Sequence, residues 1–196
     1  MAEVTYERFE GAEAVGQRDA LLAAYEEVFA DAPYCEGPWG VAEFIDRYPQ
    51  QIRTQLGFRL VIARAAPEVV GFTYGYQLPA TTGWWGNLLE PMPEDFTAET
   101  GDRTFAVIEM VVRRPWRRRG VAAGLHARLV EGLGVERVTL TVRPEPEAAP
   151  ARAAYAAWGY RKVGRSHPSP EGPKYDVMVL TLPQSAADGT TSQPLL

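Results

Sequence analysis

The chain has 196 residues, 46% of them hydrophobic, which suffices for one ordinary core and favours one domain or at most two. The formal net charge of −5 argues against a general polyanion binder, so no nucleic-acid partner is expected. A single cysteine, Cys35, leaves no intrachain disulfide framework, and a reducing cytoplasm is the expected compartment.

The N-terminal stretch "MAEVTYERFEGAEAVGQ" carries acids and lacks the apolar stretch of a secretory signal. No apolar run approaches the ~20 residues needed to span a bilayer, so no membrane partner is expected.

In chain order, "VTYERF" from Val4 alternates as a first strand. Gln17 to Ala30 read as a helix, because Leu21, Tyr25 and Phe29 recur every four residues. A Pro/Gly-rich loop, "DAPYCEGPWG", leads to a second helix from Val41, expected to be interrupted or ended near Pro49. Leu60–Ala63 and Val69–Tyr76 read as a hairpin turning at "AAPE".

The stretch "PATTGWWGNLLEPMPEDFTAETGDR" reads as a long irregular connection, and loops of that length are uncommon unless functional or disordered. "TFAVIEMVV", Thr104 to Val112, is nearly all apolar, as suits a central strand buried on both faces. "VAAGLHARLVEGL" follows as an amphipathic helix carrying Val121, Leu125 and Leu129, then Val135–Val142 as a strand. "PARAAYAAWGY" is a short helix ended by Gly159, and "YRKVGR" and "YDVMVLTL" close the set as strands. The expected fold class is mixed α/β (α+β), in one domain over residues 1–183 with a mobile polar tail at 184–196.

The informative segment is "RRPWRRRGVAAGLHARLV", with Arg113, Arg114, Arg117, Arg118 and Arg119 ahead of a helix. The first amides of a helix lack intrahelical partners and carry about half a positive charge, so an anion can sit there. Gly120 lets the backbone approach a ligand closely, and Ala122 and Ala123 are small. On local sequence alone, a solvated basic turn serves as well. The Gly-Lys-Ser/Thr ending of a Walker loop and the three glycines of a dinucleotide fingerprint are both missing.

"EMVVRRPWRRRGVAAGLHARLV" resembles the acyl-CoA-binding motif of the GNAT superfamily of N-acetyltransferases, with Arg117-Arg118-Arg119-Gly120-Val121-Ala122 opening the helix. Downstream, Ala151, Tyr155, Gly159 and Tyr160 are similar to that family's Ala-x-x-x-Tyr-x-x-x-Gly-Phe signature. The resemblance implies a central, mostly antiparallel sheet with splayed strands and acetyl transfer from acetyl-CoA to an amine, with no metal. It places the diphosphate on the amides from Arg118 to Ala123 and the pantetheine along Met110, Val111 and Val112, a strand-addition mode. A main-chain N–H near Val111 would polarise the thioester carbonyl.

Tyr155 is then the expected general acid, although helix spacing alone would make it a packing aromatic. Glu109, the one acid in its strand, is the candidate base, with an exposed-edge or arginine-paired carboxylate as the other reading. Ala148 stands where many members carry an asparagine that contacts pantetheine. A non-catalytic acyl-CoA-sensing module of the same fold is the alternative.

The acceptor would be walled by "DAPYCEGPW" and "TTGWWGNLLEPM", which offer Asp31, Tyr34, Glu36, Trp39, Trp84 and Trp85. Acids and aromatics together suit a cationic or amphipathic amine. The adjacent tryptophans serve equally as core or interface residues. Cys35 would line the pocket or simply be buried, and His126 is expected to be exposed. The sequence does not fix the oligomeric state; a homodimer is one outcome, since dimers are the common assembly.

Overall fold

The computed structural model describes residues 3–183, and the proposed tail at 184–196 lies outside them. The elements run β1 (Thr5–Glu10), α1 (Arg18–Phe29), α2 (Pro38–Thr54), β2 (Arg59–Ala65), β3 (Glu68–Gln77), α3 (Glu94–Thr97), β4 (Thr104–Val112), α4 (Val121–Val130), β5 (Arg137–Val142), α5 (Ala149–Ala157), β6 (Arg161–Ser166) and β7 (Tyr175–Thr181). The seven strands form one sheet in the order β1-β2-β3-β4-β5-β7-β6. Every pairing is antiparallel except β4 with β5.

Two apolar layers flank the sheet. On one face α1 and α2 present Leu21, Tyr25 and Phe29, and Phe44, Tyr48 and Ile52, each set at i, i+4, i+8. On the other face α4 buries Val121, Leu125 and Leu129, and α5 buries Tyr155.

Helix α2 corrects the expected break at Pro49: it begins with Pro38 in its first turn and runs through Pro49 to Thr54. An interior proline costs roughly 3 kcal/mol. Burial of Phe44, Tyr48 and Ile52 on both sides of it, with the Tyr48 hydroxyl donating to Ala14 O at 2.8 Å, offsets that cost.

The connection between β3 and β4 is also more ordered than its sequence suggests. It holds a 3₁₀ turn at Trp84–Asn87 and the short α3. It docks on β6 through Leu89 N to Arg165 O and His167 N to Asn87 O. Its anchor is Glu99, whose buried Oε1 accepts from Arg137 Nη2 at 2.8 Å, Trp85 Nε1 at 2.8 Å and Thr104 Oγ1 at 2.7 Å. The Arg137 guanidinium lies over the rings of Trp85 and Phe96. The charge-assisted hydrogen bonds to Oε1 offset part of the cost of burying this ion pair, while Glu99 Oε2 has no partner among the described residues.

Two features of β4 position the site. β4 and β5 are paired only from Thr104–Val107 to Arg137–Leu140. Beyond Val107 the two strands part, and the β4 edge from Ile108 to Val112 has no β5 partner. A bulge also falls in β4, because Tyr74 faces Glu109 while Gly75 faces Val107, leaving Ile108 unpaired. Phe105 and Val107 sit on the α4–α5 side before the bulge, and Val111 sits on the α1–α2 side after it. The extra residue inverts the parity of the strand, so Glu109 turns toward α2.

Candidate active site

The turn after β4 separates its arginines by role. Arg113 bonds Glu27 of α1, Nε to Oε2 at 2.6 Å, and reaches Glu68. Arg114 Nη2 donates to Asp31 Oδ1 at 2.7 Å, and its amide donates to Glu27. These two side chains lock the strand end to α1. Arg117 Nε caps Val112 O at 3.1 Å, while Arg119 lies over the Trp116 ring.

Neither Arg118 nor Arg119 has a carboxylate partner among the described residues. Arg118 and Gly120 both take left-handed backbone, at φ 61° and 80°. This strained geometry opens the N-terminus of α4. The amides from Arg118 to Ala123 have no backbone acceptor among the described residues, and the first turn closes with Gly124 N to Gly120 O. A Cβ on Gly120 would meet nothing within 4 Å, so the approach is open. These residues fit a diphosphate.

Beside the splay lies a cleft of about 430 Å³. Ile108, Glu109 and Met110 form one wall, with Leu140–Arg143, Ala151 and Tyr155 opposite. Tyr34, Glu36, Glu43, Arg47, Trp84 and Tyr175 surround its mouth, where Trp39 is 63% exposed. Among the described residues, Arg143 pairs with Glu145 in a fork of 2.8 and 3.0 Å, and Arg47 pairs with Glu109. Glu36 and Glu43 have no cationic partner there, so the mouth carries unbalanced negative charge.

Glu109 is buried, and its Oε1 accepts from Arg47 Nη2 at 2.8 Å. Burial pushes its carboxyl up to about 7, against the pull of Arg47. Tyr155 is buried on α5, and its phenol is pushed well above the usual range by burial and by nearby Tyr34 and Glu109. Tyr155 therefore keeps its proton. Its ring packs edge-on against Trp158 and Tyr160. The cleft thus holds a carboxyl that titrates near neutrality and a phenol that does not.

The sequence-selected residues divide. Glu109, Met110, Tyr155, Tyr34, Glu36 and Trp84 line the cleft. Val111 and Val112 continue along the unpaired edge of β4, Val111 with its side chain in the core. Asp31 lies outside the cleft, bound to Arg114 and Arg117. Trp85 also lies outside, because it closes the buried Glu99–Arg137 box.

Cys35 is exposed, in left-handed backbone at φ 50°. Ala148 is buried in a 3₁₀ turn, and the loop beside it is held by Arg152, whose Nη1 donates to Arg143 O and Glu145 O. Sequence reasoning missed Arg47 and Glu43 of α2, Arg143 after β5 and Tyr175 of β7, which are far apart in the chain. Helical spacing links only Glu43 and Arg47, one turn apart on α2. Among the described residues no cluster of three or more metal-ligating side chains occurs, and no helix is long and apolar enough to cross a membrane.

A splayed sheet, an open helix N-terminus and an acid–phenol cleft define an acyl-transferring fold. The chain belongs to the acetyltransferase (GNAT) family, whose sequence model matches residues 21–160. No curated protein sequence matches it.

Solved structures with the same fold include the ribosomal-protein-S18-alanine N-acetyltransferase from Escherichia coli, at 17% identity and TM-score 0.58, covering 95% of this chain and 98% of that one. NAA60 from Arabidopsis thaliana, solved with a bisubstrate analogue, is similar at 16% identity and TM-score 0.60, covering 93% and 100%. The PaiA N-acetyltransferase from Thermoplasma acidophilum, solved in complex with coenzyme A, is similar at 9% identity and TM-score 0.60, covering 92% and 99%.

Proposed function

We propose that the chain transfers an acetyl group from acetyl-CoA directly to a primary amine on a cationic or amphipathic acceptor. The observation that carries this reading is the shared cleft of Glu109 and Tyr155 beside the β4–β5 splay. The amides of Arg118–Ala123, with Arg117, Arg118 and Arg119, would hold the diphosphate. The free edge at Met110, Val111 and Val112 would take the pantetheine arm. Acetyl-CoA supplies the acyl group as a thioester.

The acceptor arrives as an ammonium, with a pKa of about 10.4 in water, and must lose a proton before it attacks. Glu109, ionised above pH of about 7, takes that proton directly or through water. The nitrogen lone pair forms the new C–N bond as the C–S bond breaks. Tyr155 gives its proton to the departing sulfur and is reprotonated, directly or through water, by the second proton that the acylated nitrogen releases. A main-chain N–H of β4 near Val111 would stabilise charge on the carbonyl oxygen. Glu36 and Glu43, with Tyr34, Trp39 and Trp84, favour a cation at the mouth.

The test is thiol release from acetyl-CoA with benzylamine, 1,5-diaminopentane and a short peptide bearing a free N-terminus. Release stimulated by an amine supports transfer. Thermal stabilisation by acetyl-CoA with no release above background on any amine favours the sensing module instead.

A further inference from the structure

Glu109 and Arg47 meet in the cleft from two elements, β4 and α2. Their contact is one-handed. Arg47 Nη2 donates to Oε1 at 2.8 Å, while its Nε makes no hydrogen bond among the described residues. Glu109 Oε2 likewise receives no donor among them. A bidentate fork would engage both oxygens and leave only their outer lone pairs for a proton, whereas the single contact leaves Oε2 free of a donor among the described residues. The main chain at this point is fixed as well, since Thr73 Oγ1 donates to Glu109 O at 2.7 Å. The carboxylate therefore pivots only about its own side-chain bonds, and Arg47 fixes that rotation.

The remaining neighbours act in the other direction or not at all. Glu36 and Glu43 are like charges and oppose ionisation of Glu109. Tyr25 of α1, Tyr34 and β3 Tyr74 are all pushed up by burial and stay neutral. Across the cleft, Arg143 is engaged with Glu145, and Tyr155 is neutral. Arg47 is thus the cation in direct contact with Glu109.

We infer that Arg47 is a positioning residue for Glu109: it holds Oε1, presents Oε2 to the acceptor, and favours the carboxylate over the carboxylic acid. This rests on the base assignment above only for its catalytic consequence. Its geometry and electrostatics stand on the ion pair itself.

The experiment is ¹³C NMR of the full chain labelled at glutamate Cδ, with the Glu109 resonance assigned by its loss in Glu109→Gln. The wild-type midpoint is expected near 7. Arg47→Met should raise it by about one unit or more, and Arg47→Lys should restore most of the difference. Should Arg47→Met fail to fold, Arg47→Gln carries the same expectation, since it too removes the charge.

On the activity side, the acid limb of kcat/KM should move with the NMR midpoint. At pH 7 a shift of about one unit corresponds to a roughly fivefold loss. An unchanged midpoint in the charge-removing variants overturns the inference. A moved midpoint together with full turnover by Glu109→Gln supports the Arg47–Glu109 coupling and overturns the base assignment.

Discussion

The hydroxyl of Tyr160 lies 2.9 Å from His126 Nε2, and the His126 ring stacks on Trp158 with a centroid separation of 4.7 Å. This joins α4 to the end of α5, directly behind Tyr155, whose ring meets Tyr160. His126, expected to be exposed, is in fact buried. Its neighbours in sequence are small and charged, so only the return of "WGY" onto α4 gives it apolar cover.

Tyr160→Phe, which restores the residue usual in the family signature, should cost about 1–3 kcal/mol by leaving His126 without its partner. Urea unfolding measures it. A loss within error of zero would mean that the pair does not contribute to stability.

The same histidine sets one pH slope. Burial lowers its pKa from 6.5 to about 4, so the fold binds it neutral. Its contribution is present above pH 6.5 and is lost as pH falls toward 4. His126→Asn should flatten this part of the Tm profile.

Glu109 gives the opposite slope. Its pKa rises from 4.5 in the open chain to about 7 in the fold, so the native state binds the proton more tightly. Stability should be greatest below pH 4.5 and fall by about 3 kcal/mol as pH rises through 7. The wild-type profile sums the two slopes, and Glu109→Gln and His126→Asn separate them. A Glu109→Gln profile parallel to wild type between pH 5 and about 7.5 would place the Glu109 pKa near its ordinary value.

Tyr155→Phe should lower kcat by about 10²-fold or more, because the departing thiolate loses its proton donor. Thermal stabilisation by acetyl-CoA should persist, since the phenol is not part of the diphosphate seat. Unchanged kcat, with an unchanged pH profile, would assign the proton to water.

Gly120 separates backbone strain from ligand approach. At φ 80° an alanine costs about 1–2 kcal/mol of stability even though its Cβ would touch nothing. Gly120→Glu adds a negative charge and bulk at the helix opening, and should weaken CoA binding well beyond Gly120→Ala. Calorimetry with coenzyme A compares the two. Equal affinities would remove the diphosphate from this turn.

The sequence by itself determined most of the strands and helices and the open helix start at Gly120. Apolar periodicity within α1 and α4, the all-apolar β4, and Gly120 ahead of bare helix amides are local signals, readable without knowing what packs against them. The candidate acid and base were legible too, through the motif around Tyr155 and the one charge in β4.

Tertiary structure decided the rest, because it depends on residues far apart in the chain. The bulge at Ile108 selected the face on which Glu109 stands, and α2, running unbroken past Pro49, brought Arg47 to meet it. Of the adjacent tryptophans, Trp84 lines the cleft while Trp85 seals the charge of Arg137 and Glu99. Two neighbours of the same type have the same pattern in sequence. Only tertiary contact separates them: Trp85 Nε1 donates to Glu99 in the core, whereas Trp84 Nε1 has no partner among the described residues and its side chain lines the cleft.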